Sequence, residues 1–128
     1  MIMPFDHYTV TTVKDVAAAT VSVAQKAEEK GFEVLHIHDL GQIFGARGFA
    51  SPLARVVEIC FAAFGGQLLA ADPITSLMMP CRIGVYVKDG RTLISALRPR
   101  LAGDLMPQFA EMAQMGDAIM RAIVDEAR

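Results

Sequence analysis

Apolar and polar positions repeat with two different periods along the chain, and the switches between them mark out its elements. Tyr8-Thr9-Val10-Thr11 is aromatic and β-branched, which suits a strand. Thr12, followed three residues later by Asp15, makes a capping-box-like pair and predicts a helix from near Val13. Val16, Thr20, Val23, Ala24 and Ala27 share one helical stripe, Lys14, Gln25, Glu28 and Glu29 lie off it, and Gly31 closes the helix as a C′ glycine. Phe32–His38 reads as a second strand, and glycine-rich Asp39–Pro52 as a loop holding a helical turn. Val56–Phe61 is the third strand, and Leu68–Leu77 a short helix carrying Pro73. Cys81–Val87 and Thr92–Leu97 form a hairpin about Lys88-Asp89-Gly90-Arg91, where Asp-Gly supplies the turn.

The last segment opens at Gly103-Asp104, with Asp104 as N-cap and Pro107 tolerated in the first turn. Leu105, Phe109, Met112, Gly116, Ile119 and Ile123 then recur at steps of four and three, the mark of a long amphipathic helix. Met106, Ala110, Ala113, Met120 and Val124 broaden its apolar side, so this helix is expected to pack on the sheet and on a second surface.

Strand alternation assigns two faces to the sheet. Val57, Ile59 and Phe61, with Cys81, Ile83, Val85 and Val87, form the core face. Val56, Glu58 and Cys60, with Arg82, Gly84 and Tyr86, form the other. If Leu35 and Ile37 point to the core, His36 and His38 join Glu58, Cys60, Arg82 and Tyr86 on the open face and complete a candidate binding site. Phe32 and Val34 share the parity of the histidines, so the second strand could equally be turned over. A thiol beside Arg or His has its thiolate favoured, which would make Cys60 nucleophilic. Against this, Glu58 and Arg82 can be a plain cross-strand ion pair and Cys60 a small apolar residue under a subunit contact. Because a strand this apolar belongs inside the sheet, Glu58 is expected to be desolvated beneath a dimer contact or a ligand, so that Glu58→Gln strands Arg82 and costs about 3–5 kcal/mol. Opposed parities disfavour a Cys60–Cys81 disulfide. His36, His38 and Cys60 could supply three zinc ligands if their strands are neighbours, but alternating histidines on a strand are more often exposed polar positions, and no metal or cofactor is expected. The glycines at 41, 45 and 48 fit no phosphate-loop pattern, and the methionines read as pliable filler of a core or interface.

Composition narrows the classes. The 128 residues make a single domain, 1–128, and 53% hydrophobic content excludes disorder. With 12 Lys+Arg against 14 Asp+Glu, net charge −2, there is no basic excess for nucleic acid. The uncharged run Ile59–Ala71 is shorter than the roughly 20 residues of a membrane span. Met1–His7 lacks the basic and apolar regions of a signal peptide, so the cytoplasm is the expected location. This much apolar surface on a small chain argues for self-association, most simply a homodimer.

Val57-Glu58-Ile59-Cys60, then Asp72-Pro73, then Met79-Pro80-Cys81-Arg82, then Asp89-Gly90-Arg91-Thr92 and a later Pro99 form a recognisable series. It resembles the domain-of-unknown-function 302 family, whose pattern is E-x-C-N-P, an Asp-Pro, a Pro-Cys opening the next strand and a Gly-x-Thr hairpin. The likeness covers nearly the whole chain and departs from the pattern at Phe61-Ala62, where relatives carry Asn-Pro. The resemblance implies an α+β fold of order β-α-β-β-(short α)-β-β-α, an antiparallel TATA-box-binding-protein-like sheet with helices on one face, often as a homodimer, and no established activity. The sequence thus points to a small soluble, homodimeric, non-catalytic domain that binds a small molecule or serves as an accessory. The alternative is a thiol-dependent redox or sulfur-handling protein using Cys60.

Overall fold

A computed structural model describes residues 6–98 and 106–128. The chain runs β1 (His7–Thr12), α1 (Val16–Glu29), β2 (Glu33–Asp39), α2 (Leu40–Gly45), β3 (Ala54–Cys60), α3 (Ala62–Ala71), a 3-10 segment (Pro73–Met78), β4 (Cys81–Lys88), β5 (Arg91–Leu97), a 3-10 turn (Pro107–Phe109) and α4 (Ala110–Ala127). The strands form one antiparallel five-stranded sheet in the order β1-β5-β4-β3-β2. Helix α1 packs on β2, β3 and β4, α4 packs on β1 and β5, and the two helices touch one another. The fold is the expected α+β arrangement. No described helix is long and apolar enough to cross a membrane.

Between sheet and helices the core is formed by the residues that parity assigns to it. Val57, Ile59, Ile83, Val85 and Ile94 are fully buried beneath Ala19, Val23 and Ala27 of α1 and Ile123, Val124 and Ala127 of α4. The β4–β5 turn is a tight two-residue one, with Asp89 and Gly90 both at positive φ (53° and 74°), the geometry that Asp-Gly accommodates.

Several boundaries differ from the sequence reading. Helix α1 begins at Val16, because Asp15 takes the N-cap and accepts from Ala18 N at 2.7 Å. Thr12 Oγ1 instead accepts from Lys14 N, and Val13 is left exposed. The helix expected over Leu68–Leu77 is two elements. Pro73 lacks an N–H and cannot continue a helix, so α3 ends at Ala71, and extended Asp72 restarts the chain by accepting from Ile74 N. The expected start of the last helix at Gly103-Asp104, with Leu105, lies outside the described residues. Within them, the buried stripe of α4 is Ala113, Gly116, Met120, Ile123, Val124 and Ala127, while Met112 and Ile119 flank it half-buried.

The most consequential departure lies in β2. Val34 pairs with Ile59, yet His36 pairs with Glu58, so Leu35 is an extra residue in a β-bulge. The bulge reverses the parity of the strand in its middle. Phe32 and Val34 therefore pack against the core before it, Ile37 pairs with core-facing Val57 after it, and Leu35 is exposed rather than core-facing.

Candidate functional site

The residues singled out by parity fall into three groups. The first lies on the open face, where register aligns His36, Glu58 and Arg82 across β2, β3 and β4. His38 Nε2 donates to Glu58 Oε1 at 2.6 Å, and the His36 and His38 rings meet edge-on with centroids 4.5 Å apart. Arg82 Nε is 3.8 Å from Glu58 Oε2, an ion-pair distance beyond hydrogen-bond range. Among the described residues no group of three or more His, Cys, Asp and Glu side chains converges as a metal site would need.

Glu58 sits on an interior strand, but its partner Arg82 is half-exposed, with side-chain exposure of 52% against 19% for Glu58. The condition for a cost of about 3–5 kcal/mol, a cation left buried without a partner, is therefore not met. Glu58→Gln, which keeps an acceptor for His38, should lower stability by no more than about 1 kcal/mol. Denaturant midpoints at equal protein concentration check this, and a shift of several kcal/mol would show a desolvated ion pair.

The second group is a chain of hydroxyls. Tyr86 OH lies 2.7 Å from Ser95 Oγ, which lies 2.7 Å from Thr9 Oγ1, running from β4 across β5 to β1. Tyr86 is thus held in a network that does not touch the histidines.

The third group centres on Cys60 and opens a space that parity alone does not reveal. Where β3 ends, the chain turns directly into α3, and a Cβ placed on Gly65 would meet Cys60 Sγ at 3.4 Å and Met79 Sδ at 3.7 Å. Two sulfurs converge on that glycine. Around them is a cavity of about 300 Å³ at the end of the sheet. It is walled by Phe61, Phe64 and Leu68 at α3, by Leu77, Met78 and Met79, and by Phe109, Met112 and Met120 at α4. Aromatic packing fixes one wall, with Phe61 in ring contact with both Phe32 and Phe64 at 5.2 and 5.0 Å. Cys81 lines the cavity from β4, and burial, then the neighbouring Cys60, push its thiol up while Arg82 opposes them. Both cysteines are free.

Sequence reasoning found Cys60 and Arg82, both of which line this cavity, but missed most of its wall. The signal was present in Phe61 and Phe64, three apart at the start of a helix, and in Met78-Met79, which read as filler. It also missed Asp117, buried in α4, whose carboxylate accepts from Arg98 Nε and Nη2 at 2.8 and 2.7 Å. No local pattern connects two residues so far apart in sequence.

Comparison with known proteins agrees with the fold. The sequence model of a family described as "Domain of unknown function DUF302" matches residues 8–127. The chain is similar to a crystal structure of an uncharacterised conserved DUF302 protein from Bacillus stearothermophilus, with a TM-score of 0.89 at 22% identity, over 98% of this chain and 100% of that one. None of the curated proteins matches.

Proposed function

This chain belongs to the DUF302 family, and we propose that it is a small homodimeric, non-catalytic domain that binds an apolar small molecule in the cavity beside Gly65. The observation that carries the reading is the cavity itself. Protein interiors close up to near-crystalline density, and an apolar space of about 300 Å³ between sheet and helices is at the small end of ligand sites, which are mostly apolar with a few polar groups. Of the six residues that parity selects, Cys60 and Arg82 belong to this site, and His36, His38, Glu58 and Tyr86 stay on the open face of the sheet. The alternative, a thiol-dependent redox or sulfur-handling protein, rests on Cys60; at its neighbour Cys81 burial pushes the thiol up, which makes that second thiol a poor nucleophile.

Titration with the neutral fluorophore N-phenyl-1-naphthylamine tests the reading. A saturable rise in emission, with one site per chain at micromolar affinity, is expected. No saturable rise with folded protein would refute it.

The dimer rests on a different surface. Leu35 and Ile37 of edge strand β2 are exposed together with Ile43, Phe44, Phe49 and Leu53 of the segment that follows. An edge strand carrying apolar side chains is a pairing surface. Sedimentation equilibrium at micromolar concentration should give twice the chain mass of 13.8 kDa, and a Leu35→Glu/Phe49→Glu variant should return to that mass. A wild-type chain sedimenting only at 13.8 kDa would exclude the dimer.

A further inference from the structure

The cavity has a charge sign that its apolar walls do not explain. Among the described residues lining it, the charged side chains are Arg82 and Arg98, and no acidic side chain lines it. The two arginines sit at the same end of neighbouring strands, Arg82 near the start of β4 and Arg98 directly after β5. Their situations differ. Arg98 is held in a bidentate pair by Asp117, so its charge is already answered. Arg82 is half-exposed, and its recorded charge partner among the described residues is Glu58 at 3.8 Å, whose other oxygen is bound at 2.6 Å by His38. The fork of N–H donors on Arg82 is therefore free to meet a ligand without breaking a hydrogen bond.

We infer that the ligand is an apolar molecule carrying one anionic head, a carboxylate or sulfonate, with its apolar body between α3 and α4 and its head on Arg82. This rests on the cavity being the binding site. A guanidinium matches a planar carboxylate or a sulfonate oxygen pair in geometry, and an apolar wall that excludes water strengthens the attraction over its value in bulk solvent. Water remains at the outer side of Arg82, so the head would be bound at the rim and the body inside, which is the polarity of an amphiphile rather than of a wholly buried ligand.

The test compares N-phenyl-1-naphthylamine with 8-anilinonaphthalene-1-sulfonate, which share an apolar body and differ by the anionic group. The sulfonate is expected to bind at least about tenfold more tightly, a difference of about 1.4 kcal/mol. Arg82→Gln should erase that preference, bringing the two probes' affinities within about twofold of one another. Raising the ionic strength should narrow the gap in the wild type. Equal affinity for the two probes, or a preference that survives in Arg82→Gln, overturns the inference and leaves the cavity reading standing. Failure of both probes to bind overturns both. Sulfonate binding that persists when the cavity is filled by Gly65→Leu would place it on the surface and overturns the inference as well.

Discussion

Gly65→Leu should abolish binding of an apolar probe while Gly65→Ala leaves it intact. At Gly65 a Cβ meets Cys60 Sγ and Met79 Sδ at ordinary contact distances, so alanine fits, and by ending a glycine's backbone freedom inside α3 it should stabilise the helix by up to about 1 kcal/mol. Leucine's further carbons extend from a Cβ already in contact with those sulfurs, at a cavity that Phe61 and Phe64 also line. Filling an open cavity displaces fewer packed atoms than overpacking a closed core, so the stability loss should stay below the roughly 1–3 kcal/mol usual for methylenes forced into a well-packed core. Affinity for N-phenyl-1-naphthylamine should fall at least about thirtyfold in the leucine variant, some 2 kcal/mol, and by less than about threefold in the alanine variant. A folded leucine variant, verified by circular dichroism, that binds like the wild type would mean that the probe does not occupy this cavity.

Ile83→Ala should be among the most destabilising single changes in the chain, at about 2–5 kcal/mol. Ile83 is fully buried, pairs with Val57 on one side and Ala96 on the other, and lies on the sheet face that α1 covers. Central strands held by neighbours on both sides cannot close a void by shifting. Against a typical total of about 5–15 kcal/mol, such a loss leaves a marginal domain. The midpoint of urea unfolding should fall with an unchanged slope. A loss below about 1 kcal/mol would show that the helices over β4 can settle into the gap.

What the sequence made legible follows from range. The hairpin turn, the strand parity at Val57, Ile59, Ile83 and Val85, and the stripe of α1 depend on neighbours within a few residues, and all are as read, save that Ala24 is only half-buried. The bulge at Leu35 was not legible, although its trace was there. Two conflicting parities in one strand, Phe32 and Val34 against Ile37, can both be satisfied when one extra residue intervenes. The cavity was hidden for a different reason. Its walls come from α3, the segment Leu77–Met79 and α4, and only their mutual placement distinguishes a methionine that fills a core from one that borders a void. The Arg98–Asp117 pair shows the same limit, since a salt bridge between a strand's end and a helix has no signature in either segment alone.

The sheet order also bears on how the chain assembles as it is made. Strand β1 is an edge strand and pairs with β5, His7 with Leu97 and Thr12 with Thr92, so the first described strand in chain order finds its partner in the last. Strands β2, β3, β4 and β5 pair in order of appearance and can zip up as they emerge. Until β5 is complete, β1 cannot join them, and the growing chain carries α1 with Val16 and Val23 in need of cover. Distant pairing of this kind slows closure because the loop between the partners must be ordered first. While β1 is undocked, the sheet leaves the edge of β5 unpaired, and such an edge is a general route by which identical chains exchange strands.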